Sequence, residues 1–205
     1  MLKYFLLLGW LQIFPGIAVA AQTETILVVG DSLSASYGIE QHVGWVALLQ
    51  QRLKEQGYPH QVVNASISGE TTRGAVSRMA QALKNNRPAI CIIELGGNDG
   101  LRGLSLSEME SNLASLIKQC QRQNAKVLLA GMALPPNYGV AYTKAFSRVY
   151  VDLAKRHSVT LLPFLLNGLN GTEQFQSDGI HPTAAAQSQI RDNVWPYLSP
   201  LLRKK

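Results

Sequence analysis

Thr25-Ile26-Leu27-Val28-Val29-Gly30-Asp31-Ser32-Leu33-Ser34 is the stretch that decides the fold. Thr25 to Val29 is short, apolar and closed off by a glycine, which is how a buried strand reads. Only Gly30 and Asp31 separate that strand from Ser32. Gly30 permits a tight turn, and a serine near the start of a helix or helical turn receives partial positive charge from unsatisfied backbone N–H groups. A hydroxyl so placed is a candidate nucleophile, but a weak one without a base.

Downstream, apolar runs of strand length recur at Gln61 to Asn64, Ala89 to Leu95, Lys126 to Ala130 and Val159 to Leu161. Helical patterns lie between and after them, at Val43 to Gln56, Thr72 to Asn85, Ser107 to Gln123, Tyr142 to His157 and Thr183 to Tyr197. This alternation predicts an α/β fold, a three-layer α/β/α sandwich with a mainly parallel five-stranded sheet. Ser107 precedes Glu110 by three positions and predicts a capping box, with Met109, Leu113, Leu116 and Ile117 facing the sheet. Gly57 closes the first helix in a left-handed conformation, and Pro88 opens the central strand. Two connections are longer than ordinary turns, Gly96 to Leu106 and Met132 to Ala141. Open α/β sheets bind ligands outside the carboxyl ends of their strands, so a substrate pocket is expected there.

Residues 1–20 read differently. Met1-Leu2-Lys3 gives a short positive start, Tyr4 through Gly16 is apolar apart from Gln12, and Ala18-Val19-Ala20-Ala21 supplies small residues for cleavage. That is the pattern of a secretory signal peptide, cut after Ala20 or Ala21. Pro15, Gly16 and the polar Gln22-Thr23-Glu24 argue against a retained span, which wants roughly 20 predominantly apolar residues. The remaining chain, residues 21–205, holds no repeat, low-complexity tract or linker and is expected to be one domain, periplasmic or secreted. Loss of Lys3 lowers the net charge only by one from +6, and the basic residues are dispersed except for Arg203-Lys204-Lys205. No basic run is interleaved with aromatics, which excludes a nucleic-acid groove. Cys91 lies in an apolar run and Cys120 on the following helix, leaving both a buried thiol and a disulfide open.

The base for Ser32 has to come from His42, His60, His157 or His181. His157 fits a helix end, His60 a turn beside Pro59, and His42 a solvated loop. His181 differs, because Asp178 precedes it by three positions and Pro182 follows it. In Asp178-Gly179-Ile180-His181 a tight turn, eased by Gly179, returns the carboxylate to the imidazole, and Pro182 opens the final helix. Asp178 would then orient His181, and His181 would take the Ser32 proton and later give it to the leaving group. Negative charge on the attacked carbonyl needs donors. The Ser32 N–H, the Gly69 N–H in Ser66-Ile67-Ser68-Gly69-Glu70-Thr71 and the Asn98 amide in Gly96-Gly97-Asn98-Asp99 would form a three-donor oxyanion hole. Each segment alone also has a structural reading, a helix-capping Asp with a surface His, or turn-making glycines. Asp31 and Asp99 are read as local orienting carboxylates. A metal set of Asp31, Asp99, Asp178 and His181 lacks any close His or Cys ligand spacing, so no metal and no cofactor is expected.

Taken together, Ser32 in Gly-Asp-Ser-Leu-Ser, Gly69, Asn98, and Asp178 with His181 resemble the conserved blocks of the GDSL, or SGNH, hydrolases. The resemblance spans residues 25 to 198 and implies a flavodoxin-like SGNH fold, an acyl-serine intermediate and oxyanion donors from Ser32, Gly69 and Asn98. Gly96 to Gly103 and Leu134 to Gly139 carry a closer likeness to the bacterial periplasmic thioesterases and lysophospholipases of the family. Ala133 stands where that branch has a basic residue, so acyl preference is not carried across. Leu101, Leu104, Leu106, Leu134 and Tyr138 are the candidate lining of an acyl groove, or else cover the sheet edge. A monomeric hydrolase of lysophospholipids, acyl thioesters and small or aryl esters is the leading expectation. A carbohydrate O-deacetylase of the same superfamily and a noncatalytic ligand-binding protein are the alternatives.

Overall fold

The computed structural model describes residues 24–203, so the leader expected at residues 1–20 lies outside the described residues. Strands β1 (Thr25–Gly30), β2 (Gln61–Asn64), β3 (Ile90–Glu94), β4 (Lys126–Ala130) and β5 (Thr160–Leu162) form a five-stranded sheet in the order β2-β1-β3-β4-β5. Every pairing in it is parallel. All five residues of β3 are buried, as a central parallel strand covered on both faces requires. The edge strand β2 is partly exposed.

Among the described residues the α-helices are α1 (Trp45–Glu55), α2 (Thr72–Asn86), α3 (Gly97–Leu101), α4 (Leu106–Arg122), α5 (Val140–His157) and α6 (Gln187–Leu198). The chain leaves β1 in one direction to reach β2 and then returns past β1 to β3. With a constant crossover hand this reversal puts α1 and α6 together on one face and α2, α4 and α5 side by side on the other. The gap between the carboxyl ends of β1 and β3 is therefore the topological switch point, where such sheets bind ligands.

Met109, Leu113, Leu116 and Ile117 are buried on α4 as their spacing predicts. The cap differs. Ser105, not Ser107, precedes the helix and accepts from the Glu108 N–H at 3.3 Å, while Glu110 pairs with Arg156 at 2.7 Å. The sequence offers two serines two residues apart, and the buried stripe fixes which one ends up outside the helix. Gly57 takes the left-handed conformation expected after α1. The final helix starts later than Thr183, after a short tight turn at Ala184–Ala186. Helix α3 lies inside a segment read as loop, because Gly-Asn-Asp-Gly-Leu carries poor helix formers. Cys91 and Cys120 are both buried and free. Among the described residues no helix is long and apolar enough to cross a membrane.

Candidate active site

The backbone of Gly30 runs against the neighbouring strand end so closely that a Cβ there would lie 2.6 Å from Glu94 Oε2 and 2.7 Å from Ser34 Oγ. The missing side chain lets β1 end flush with β3 and start a compact turn. Asp31 Oδ1 accepts from the Leu33 N–H at 3.1 Å, and the Asp31 carbonyl accepts from the Ala35 N–H at 2.9 Å. One helical turn thus wraps Ser32, whose own N–H has no acceptor among the described residues.

His181 reaches this turn from across the sequence. Its Nε2 lies 2.8 Å from Ser32 Oγ, and its Nδ1 lies 2.6 Å from Asp178 Oδ2. The other carboxylate oxygen, Asp178 Oδ1, accepts from the Ile180 and His181 N–H groups at 2.9 and 3.0 Å. Gly179 has a φ of +67°, the left-handed value that closes this turn. Those hydrogen bonds, from the His181 N–H and imidazole and the Ile180 N–H, hold Asp178 down at about 2. The loop is tied to the nucleophile turn by Gln176, whose amide donates to the Tyr37 carbonyl at 2.8 Å, and the Tyr37 ring packs 4.5 Å from the imidazole.

The donors expected around the carbonyl oxygen are linked to one another. Asn98 Nδ2 donates to Asp31 Oδ2 at 3.1 Å and to the Glu70 carbonyl at 3.0 Å. One bond leads to the residue before Ser32 and the other to the residue after Gly69. Gly69 has a φ of +77°, and its N–H, like that of Ser32, has no acceptor among the described residues. Arg102 donates to the Gly69 carbonyl at 3.0 Å, and Asp99 accepts from the Thr72 N–H and hydroxyl at 2.9 and 2.6 Å. Asp99 and Arg102 therefore fasten the Asn98 segment to the Gly69 loop. Both amide hydrogens of Asn98 are occupied, so an oxyanion would share or displace the bond to Asp31.

Beneath the nucleophile lies a buried carboxyl that sequence reasoning did not single out. Glu94 is fully buried, its Oε2 accepts from Ser34 Oγ at 2.6 Å and from the Asp31 N–H at 3.2 Å, and its Oε1 has no partner. Burial, then the Asp31 charge, push Glu94 well above the usual carboxylate range. Burial also pushes Asp31 up to about 6, opposed by the Leu33 N–H, the His181 charge and the Asn98 amide. Of the two acids, Asp31 is held by these donors and Glu94 keeps one oxygen without a partner. The only signal in the sequence is an acid inside the apolar run from Ile90 to Leu95.

A cavity of about 530 Å³ opens beside Ser32, Asn98 and His181. Leu101, Met132, Ala133, Leu134, Pro135 and Pro136 form one wall, and Phe164, Leu166, Leu169, Phe175 and Ile180 the other. Leu101 and Leu134, two of the five residues named as a candidate acyl groove, are among its lining. Leu104, Leu106 and Tyr138 do not line the cavity. Gly103, with φ +63°, turns the chain outward to leave Leu104 exposed, and Leu106 begins α4 and packs against the core. Tyr138 donates its hydroxyl to the Leu101 carbonyl at 2.9 Å, tethering the two long loops from outside. The second wall comes from residues 163–183, an aperiodic connection whose length alone was a signal. Of the other histidines, His42 pairs with Glu40 in solvent, while burial lowers both His60 and His157.

The chain is similar to known proteins along most of its length. The model of the GDSL-like Lipase/Acylhydrolase family matches residues 28–188. The chain is 51% identical over 183 residues to Esterase TesA of Pseudomonas aeruginosa, spanning 89% of this chain and 91% of that protein. It is 41% identical over 184 residues to Thioesterase 1/protease 1/lysophospholipase L1 of Escherichia coli, spanning 89% and 87%. A crystal structure of TesA superposes with a TM-score of 0.85 at 52% identity, over 87% of this chain and 100% of that one.

Proposed function

The chain belongs to the GDSL-like lipase/acylhydrolase family and is a serine-type ester hydrolase, and we propose that Ser32, His181 and Asp178 carry its chemistry. The observation that carries this reading is the unbroken path from Ser32 Oγ through the imidazole to Asp178, at 2.8 and 2.6 Å. His181 Nε2 takes the hydroxyl proton as Oγ attacks the acyl carbonyl. The N–H groups of Ser32 and Gly69, with the Asn98 amide, receive the oxyanion; donors of this kind are worth about 10²- to 10³-fold each. The tetrahedral centre collapses to an acyl-serine as His181 returns the proton to the leaving oxygen or sulfur. Water then enters by the same route and releases the acid. Asp178 holds the tautomer that leaves Nε2 free to accept.

The acyl chain belongs in the 530 Å³ cavity, whose Leu, Met, Pro and Phe lining offers burial at about 0.8 kcal/mol per methylene. Nothing in that lining reads the leaving atom, so oxygen esters and thioesters fit the same site. The names of the two relatives join esterase, thioesterase and lysophospholipase activity, which suits a site that recognises the acyl side. Lysophospholipids and short aryl esters are the substrates we propose, in a periplasmic or secreted protein whose residues 1–20 serve as the leader. Acyl-coenzyme A is not expected in that compartment, so thioester cleavage is a chemical capability rather than the physiological task. A fluorophosphonate should label the wild type and neither Ser32→Ala nor His181→Ala, and p-nitrophenyl ester hydrolysis should vanish in both. Full hydrolysis by Ser32→Ala would defeat the assignment.

A further inference from the structure

Seven large apolar side chains are exposed among the described residues, and six of them lie at one edge of the sheet. Tyr37 follows β1, Ile67 follows β2, Leu104 follows β3 and α3, Tyr138 and Val140 follow β4, and Ile180 follows β5. Every strand-to-helix connection contributes at least one. The seventh, Val151, sits midway along α5. Isolated exposed apolar residues are ordinary on protein surfaces, but their segregation to one rim is the mark of an interaction site.

Three of these residues adjoin the catalytic site. Ile180 lines the cavity, the Tyr37 ring packs at a tilt against His181, and Tyr138 is hydrogen-bonded to Leu101, another lining residue. Residues 131–139 carry no charged side chain. Val140 is 82% exposed, and Lys144, one turn further along the same face of α5, is exposed with no carboxylate partner among the described residues. An apolar tip with a free cation one turn behind it suits the boundary between acyl chains and phosphate headgroups, with the long cationic stem reaching back to the charged layer.

We propose that this rim docks the enzyme on a lipid surface, so that an acyl chain passes from the lipid layer into the cavity without crossing water. The inference rests on the acyl-lipid reading of the site and goes beyond it, because Val140 and Lys144, on which its test turns, lie outside the catalytic machinery. An apolar rim continuous with an apolar cavity is what such a transfer needs, and Lys144 supplies the complement to a lipid phosphate.

The test compares the wild type with Val140→Asp/Lys144→Glu and with Val151→Asp, all carrying the same N-terminus so that differences report on the surface alone. Co-sedimentation with phosphatidylcholine vesicles containing phosphatidylglycerol should fall at least about tenfold in the rim variant and remain unchanged in Val151→Asp. Hydrolysis of p-nitrophenyl acetate without lipid should stay within about twofold in all three. Hydrolysis of lysophosphatidylcholine should fall in the rim variant above the micelle threshold and not below it. The proposal is overturned if the wild type does not bind vesicles, if both variants lose binding equally, or if the micellar rates match. Self-association in ultracentrifugation that the rim variant abolishes would also overturn it, assigning the rim to a second copy. Loss of p-nitrophenyl acetate hydrolysis in the wild type would strike the acyl-hydrolase reading instead, leaving the vesicle result to speak for the rim.

Discussion

The two edges of the sheet are built on opposite plans. At the amino edge the helices hand over to the next strand through short turns closed by left-handed residues, Gly57, Arg87, Asn124 and Ser158. Arg52, Lys54, Lys84, Arg122, Lys155 and Arg156 crowd the last turns there, where the helix carbonyls favour positive charge. At the carboxyl edge the connections are long and held by side-chain hydrogen bonds such as Asn98 to Asp31, Asp99 to Thr72 and Gln176 to Tyr37. The first edge secures the fold and the second spends its residues on chemistry. A substitution should therefore affect stability or turnover according to the edge it touches.

The sharpest separation is expected from Asp178→Asn. Its amide keeps an oxygen for the Ile180 and His181 N–H groups but turns an N–H₂ toward His181 Nδ1, forcing the wrong tautomer. The value of kcat should drop by about 10⁴-fold, with the melting temperature almost unmoved. A variant that melts early and keeps its turnover would erase the distinction between the edges.

Leu53→Ala probes the other plan. Leu53 is fully buried in the last turn of α1, and its truncation should cost about 2–5 kcal/mol in denaturant unfolding. The folded fraction should hydrolyse esters at the wild-type kcat/KM, and a large loss in that constant would show the amino edge reaching into the site.

The smallest effect tests the contact between the plans, where Glu94 ends a core strand under the nucleophile. Burial holds its folded pKa above the ordinary 4.5, so the folded protein keeps a proton the unfolded chain releases. That contribution is fully present at pH values below 4.5 and is lost as pH rises through the folded value. Asp31 acts in the same sense between 3.8 and about 6. Glu94→Gln keeps a neutral group and should flatten the fall in stability from weakly acidic to alkaline pH while retaining most activity. An unchanged slope, or collapse of activity at neutral pH, would mean that Glu94 is ionised.

The alternation of strands and helices was legible because parallel strands buried on both faces must be apolar runs, and Ile90 to Leu95 is nearly nothing else. The meeting of Ser32, His181 and Asp178 was legible because Asp178-Gly179-Ile180-His181 is a local turn, and the strand order brings local turns to one edge. Leu104 and Tyr138 misled because an apolar residue on a loop faces the cavity or the solvent according to backbone turns such as Gly103, which carry no periodicity. Phe164, Leu166 and Leu169 escaped for the same reason. Ser107 failed as a cap because two serines compete and only the buried face of α4 decides between them.

The central claim is that the acyl group is carried on Ser32 through the base His181. Peptide mapping by mass spectrometry after reaction with a fluorophosphonate tests it most directly. A single adduct on Ser32 is expected, formed rapidly in the wild type and absent after His181→Ala. An adduct on another residue, or equally rapid modification without the imidazole, would contradict it.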